Sequence, residues 1–99
     1  MNLYNELMIQ VAVDRVIWNY REIKGKGIPI VILHGWGRSG SEWETMGKYL
    51  HEKTGRTVLI PDLPGFGGTG ITQNITDIYD YTKVLVNWMA YLDIKQASV

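Results

Sequence analysis

The sequence of 99 residues contains no cysteine, which excludes disulfides and thiolate metal sites. Two histidines are its whole stock of imidazole, too few to make a zinc site, so no metal is expected. Neither sign of charge is in excess, since ten Lys and Arg balance ten Asp and Glu. Strong counterion-driven binding to nucleic acid or to an anionic membrane is therefore not expected. Long apolar runs are also missing. The longest covers residues 28–33, far short of a membrane span. The first ten residues hold acidic Glu6 and neither a basic cluster nor an apolar core, which is not the pattern of a signal peptide. Together with the lack of cysteine, that points to a cytoplasmic chain.

What is present suits one small globular domain. Hydrophobic residues make up 45% and charged residues 20%, which excludes a disordered tail or charged linker. One Phe stands against four Trp and six Tyr, and such amphipathic rings suit a half-wet cleft or surface.

Residues 8–13 and 16–23 read as two strands, with Asp14-Arg15 as a tight hairpin turn whose second position would prefer Gly. Residues 30–33 (IVIL) are continuously apolar, as in a strand buried on both faces of a mostly parallel sheet, and 57–60 (TVLI) read as a second strand of that buried type. Between these two, Ser41 and Glu44 have the spacing of a capping box, predicting a helix from about Glu42 that buries Trp43, Met46 and Leu50 and stops at Gly55. The two strands around it should be parallel. A second helix, capped by Thr76, carries the apolar stripe Ile78, Tyr81, Leu85, Trp88 and Leu92. Residues 94–99 read as the start of another strand. The element order is β-β-β-α-β-α-β, the opening of an α/β sheet.

Two motifs carry chemistry. His34-Gly35-Trp36-Gly37 ends the IVIL strand, and Asp62-Leu63-Pro64-Gly65-Phe66-Gly67 follows the TVLI strand. With the helix between them, they resemble the N-terminal part of an α/β-hydrolase, in the branch of esterases, carbon–carbon hydrolases and haloalkane dehalogenases. The resemblance covers essentially residues 8–99 and less than half of a complete family domain, so it implies a partial domain over 1–99, truncated before the nucleophile elbow. It also implies a small-molecule substrate for the complete protein, an ester or related carbonyl compound, and no cofactor. The nucleophile, whether Ser, Asp or Cys, lies outside these residues with the acid and the base, so the chain alone is expected to be inactive.

By motif position, the resemblance assigns the backbone N–H of Trp36 to the oxyanion hole, with His34, Gly35 and Gly37 shaping the loop. It places the catalytic base late in the chain, so His34 is expected to support the loop at the strand end. Two other classes compete with this reading. One is a non-catalytic α/β binding protein. The other is a nucleotide-binding α/β domain, because Gly65-Phe66-Gly67-Gly68-Thr69-Gly70 matches G-x-G-x-x-G, although Pro61 and Pro64 separate it from the strand and no helix opens on it. With the edge of the IVIL strand expected to be open, the chain should also self-associate.

Overall fold

The computed structural model describes residues 6–35, 37–70, 75 and 77–99. The chain opens with a hairpin of β1 (Glu6–Val13) and β2 (Val16–Ile23). Asp14 (φ 49°) and Arg15 (φ 71°) both take the left-handed backbone, the pair of positive φ values that a two-residue turn needs to match strand twist. Arg15 adopts this conformation despite the preference for Gly there. A short β3 (Ile30–Val31), a helix α1 (Glu44–Thr54), β4 (Val58–Pro61) and a helix α2 (Ile78–Tyr91) complete the elements. The sheet order is β1-β2-β4-β3, with β4 antiparallel to β2 and parallel to β3 as expected.

Alternation along the strands divides the molecule into three layers. Val16, Trp18 and Tyr20 of β2, with Val31 and Leu59, form one core with Trp88 of α2. Ile23, Val58 and Ile60 form the other, on the face that α1 covers. Every residue of β4 is buried, because it lies between both cores. Gly47 is what lets α1 dock closely: a Cβ there would stand 2.7 Å from Ile60 Cδ1.

Several expectations are corrected. Ser41 and Glu44 do not form a capping box. A 3₁₀ turn over Gly40–Trp43 comes first, and among the described residues neither it nor α1 has a side-chain cap bond. Glu44 instead turns to Arg21 of β2. Trp43 is 37% exposed and Met46 is also exposed, because Gly47 marks the face of α1 that meets the sheet. These side chains line an open groove with Ile30, Ile32 and Leu50. The cap of α2 is Asp77, whose side chain accepts the Asp80 N–H at 2.9 Å, while Thr76 lies outside the described residues. Ile78 is 73% exposed, so the stripe of α2 that packs on the core begins a turn later, at half-buried Tyr81. The edge of β3 is not bare either. Val31 N–H donates to the Ser98 carbonyl at 2.8 Å and Ser98 N–H to the Pro29 carbonyl at 3.0 Å, making a parallel bridge where a strand was expected.

Candidate active site

Strands β3 and β4 run parallel, so the segments that leave their C-terminal ends, from residues 32 and 62 onward, emerge at one edge of the sheet. That is the ordinary place for a site in an open α/β sheet. β3 stops at Val31 where a strand over 30–33 was expected, so His34 lies beyond the strand and not at its end. His34, only 5% exposed, makes the first join between the two segments. Its Nε2 accepts the Leu63 N–H at 2.8 Å, and its Nδ1 lies 2.8 Å from the Gly35 carbonyl oxygen. An amide only donates and a carbonyl only accepts, so the geometry assigns the ring hydrogen to Nδ1. The Phe66 ring meets the imidazole edge-on, with centroids 5.6 Å apart. Both ring nitrogens are thus engaged in holding the loops together.

The rest of the first loop is tightly turned. The Gly35 carbonyl also accepts the Arg38 N–H at 3.1 Å, and Gly37 sits at φ 75°, a backbone that glycine takes without strain. Trp36, whose amide is the expected oxyanion donor, lies outside the described residues. Arg38 pairs with Glu42 at 3.2 Å, and the Ser39 and Ser41 hydroxyls are 2.7 Å apart.

The second join is Asp62, 1% exposed. Its Oδ1 accepts the Gly40 N–H at 2.7 Å and Arg21 Nη1 at 3.1 Å. Its Oδ2 accepts the Gly68 N–H at 2.9 Å and Asn19 Nδ2 at 3.0 Å. Four donors saturate the acceptor capacity of one carboxylate. Burial by itself pushes the Asp62 carboxyl up, and the bonds from Gly68, Asn19, Gly40 and Arg21 together outweigh it, leaving the group below the usual carboxylate value. Arg21 is held in turn by Glu44, Nε to Oε1 at 2.8 Å. Asn19 adds backbone bonds to the same loop: its N–H donates to Thr69 Oγ1 at 2.8 Å, and its carbonyl accepts the Asp62 N–H at 2.9 Å.

This hub accounts for the glycines around it. A Cβ on Gly40 would lie 2.6 Å from Arg21 Nη1, and one on Gly67 would overlap the Asp62 carboxyl group. The G-x-G-x-x-G run therefore wraps a carboxylate of the protein itself. The Gly68 amide is engaged by Asp62, Gly65 by the carbonyls of Thr69 and Gly70, and Thr69 by that of Phe66. A phosphate approaching that loop would meet engaged amides and a buried negative charge, which is the reverse of a phosphate cradle.

Sequence reasoning did not find Asn19, Arg21 or the pairing role of Glu44. A signal did exist. Asn19 and Arg21 share strand parity with Ile23, on the face that must be buried. Polar residues in such positions demand partners.

Comparison with known proteins agrees with this geometry. A family model described as alpha/beta hydrolase fold matches residues 28–98. A pimeloyl-[acyl-carrier protein] methyl ester esterase of Legionella pneumophila (strain Corby) is 42% identical over 70 residues, covering 65% of this chain and 28% of the esterase. Among solved structures, the Cif epoxide hydrolase from Acinetobacter nosocomialis superposes with a TM-score of 0.78 at 26% identity, covering 93% of this chain and 28% of that one. The haloalkane dehalogenase DatA from Agrobacterium tumefaciens C58 superposes at 0.77 with 25% identity, covering 90% of this chain and 30% of that one. The chain thus spans less than a third of each of these relatives.

Proposed function

This chain belongs to the alpha/beta hydrolase fold family, and from that premise we propose that it is the N-terminal segment of a serine-type hydrolase acting on esters or related carbonyl substrates. Its part in the reaction is the oxyanion-hole side of the site. As the nucleophile attacks the ester carbonyl, the carbonyl oxygen gains negative charge, and the Trp36 N–H donates a hydrogen bond to it. The proton of the nucleophile passes to a histidine base and then to the leaving alcohol. Nucleophile, base and acid belong to sequence beyond these 99 residues, so the segment has no turnover of its own.

The single observation that carries this reading is the anchored loop. The loop from His34 to Gly40 follows the parallel strand β3 at the C-terminal edge of the sheet and is held at its two ends, by His34 and by Gly40. A preorganised backbone donor needs this kind of support, because it must not reorganise when charge develops. The esterase likeness supports carbonyl chemistry because it runs over 65% of this chain, whereas the sequence likeness to a soluble epoxide hydrolase runs over 43%.

The test compares two substitutions in the complete enzyme on one small ester. Trp36→Phe keeps the amide and should change mainly KM. Trp36→Pro deletes the donor, and kcat should fall by roughly 10²–10³ in a variant shown by spectroscopy and melting to be folded. A folded proline variant with nearly full kcat would remove Trp36 from the oxyanion hole.

A further inference from the structure

The loop assigned to the oxyanion donor is fastened at both of its ends to the loop after β4. Its first residue, His34, takes the Leu63 N–H, and its last, Gly40, gives its own N–H to Asp62. Building on the oxyanion reading above, we infer that Asp62 is a positioning residue for the hydrolytic reaction, fixing the far end of the oxyanion loop through its bond to Gly40.

The bond is suited to that task. At 2.7 Å it is short for an N–H donor, as expected where the acceptor is ionised. It has little lateral slack, because Arg21 shares the same oxygen at 3.1 Å and any Cβ on Gly40 would strike the guanidinium. The carboxylate is itself immobile: β4 ends at Pro61 just before it, Asn19 of β2 and Gly68 hold its other oxygen, and Glu44 at the start of α1 holds Arg21. Gly40 also opens the 3₁₀ turn that runs into α1, and α1 is seated on the sheet at Gly47. Two strands, a helix start and both site loops therefore converge on one group. Asp62 is buried and its four partners are groups of the protein itself, so it acts through the loop.

Asp62→Asn keeps the size of the side chain but cannot satisfy four donors. With the amide oxygen toward Gly40 and Arg21, its NH₂ opposes the Gly68 N–H and Asn19 Nδ2; turned round, it opposes Gly40. In the complete enzyme, assayed on a small ester, kcat per folded molecule should fall about tenfold to a hundredfold, the scale of a misplacement near 1 Å, with KM changed by less than about threefold. Val58→Ala, a cavity variant at the far end of β4, serves as the stability control: it should lower Tm and leave kcat alone. In an amide NMR spectrum the Gly40 proton should resonate downfield in the unmodified protein and move upfield in Asp62→Asn.

A folded Asp62→Asn enzyme that keeps its kcat overturns the inference while leaving the hydrolase reading intact. If that variant does not fold, Gly40→Ala, which pushes the loop off the carboxylate, should show the same loss of kcat, and unchanged kcat there is equally fatal. If neither folds, exchange in the unmodified protein decides: a slowly exchanging Gly40 amide upholds the clamp, and one exchanging as fast as a surface amide ends it. Should the unmodified enzyme hydrolyse no ester at all, the oxyanion reading fails, and the Gly40 shift and exchange still show whether Asp62 fixes the loop.

Discussion

The two faces of the sheet are held by different physics. On the α2 side, Trp18 and Trp88 stack with ring centroids 5.3 Å apart, and Tyr20 meets Trp88 edge-on at the same distance. Val31, Leu59 and Ile75 fill the space around them. The attraction there is non-directional and scales with apolar area. Toward the α1 side, above Ile23, Val58 and Ile60, the packing gives way to Asn19, Arg21, Asp62 and Glu44. Each of those contacts depends on angle and charge, and each buried group is costly if its partner is lost. The first region should tolerate changes that conserve volume. The second should tolerate almost none that alter hydrogen-bond polarity, and the loops of the candidate site are built on it.

The comparison breaks most easily at Trp88. Truncation to Ala removes the ring that both Trp18 and Tyr20 contact, and should cost about 3–5 kcal/mol, read as a shift in urea midpoint. Trp88→Phe should recover a large part of that. If it recovers nothing, the apolar core is more specific than area arguments allow.

A smaller effect sharpens the contrast through pH. The Asp62 carboxyl is held below its ordinary value of 3.8, so its contribution to stability is fully present above that value. It is lost as pH falls from there through the depressed value, because protonation then favours the unfolded chain. Acid unfolding should therefore steepen below pH 3.8, and Asp62→Asn should flatten that limb while leaving neutral-pH slopes unchanged. An identical acid limb in both proteins would show that other carboxylates govern it.

The smallest effect is expected at Ile78, which is 73% exposed although it falls on the apolar stripe of α2. Ile78→Ala should change stability by less than about 0.5 kcal/mol. A larger loss would mean that the stripe is covered from its first turn.

These contrasts also separate what a linear reading could reach. The hairpin was legible because alternating residues and a two-residue turn act between near neighbours. The two parallel strands were legible from the runs at 30–33 and 57–60, though their bounds were not: the structure has them at Ile30–Val31 and Val58–Pro61. His34 followed by glycine marked the loop, although the strand stops at Val31, earlier than the run 30–33 suggested. The start of α1 was misread because Ser41 and Glu44 have capping-box spacing, yet Arg21 competes for the Glu44 carboxylate and wins with a charge-assisted bond at 2.8 Å. Trp43 was misread as buried because helical periodicity locates a stripe but not the side on which the sheet lies.

Composition, periodicity and two short motifs determined the class of the protein and the order of its strands and helices as far as α2, because those depend on local propensity and repeating apolar patterns. Only the tertiary structure decided why Gly40 and Gly67 must be glycine and why Asp62 can be buried. Its donors come from positions 19, 21, 40 and 68, and no periodicity links them. They meet because β2 and β4 are neighbours in the sheet, and once the carboxylate is out of water it must be satisfied by whatever that neighbourhood supplies.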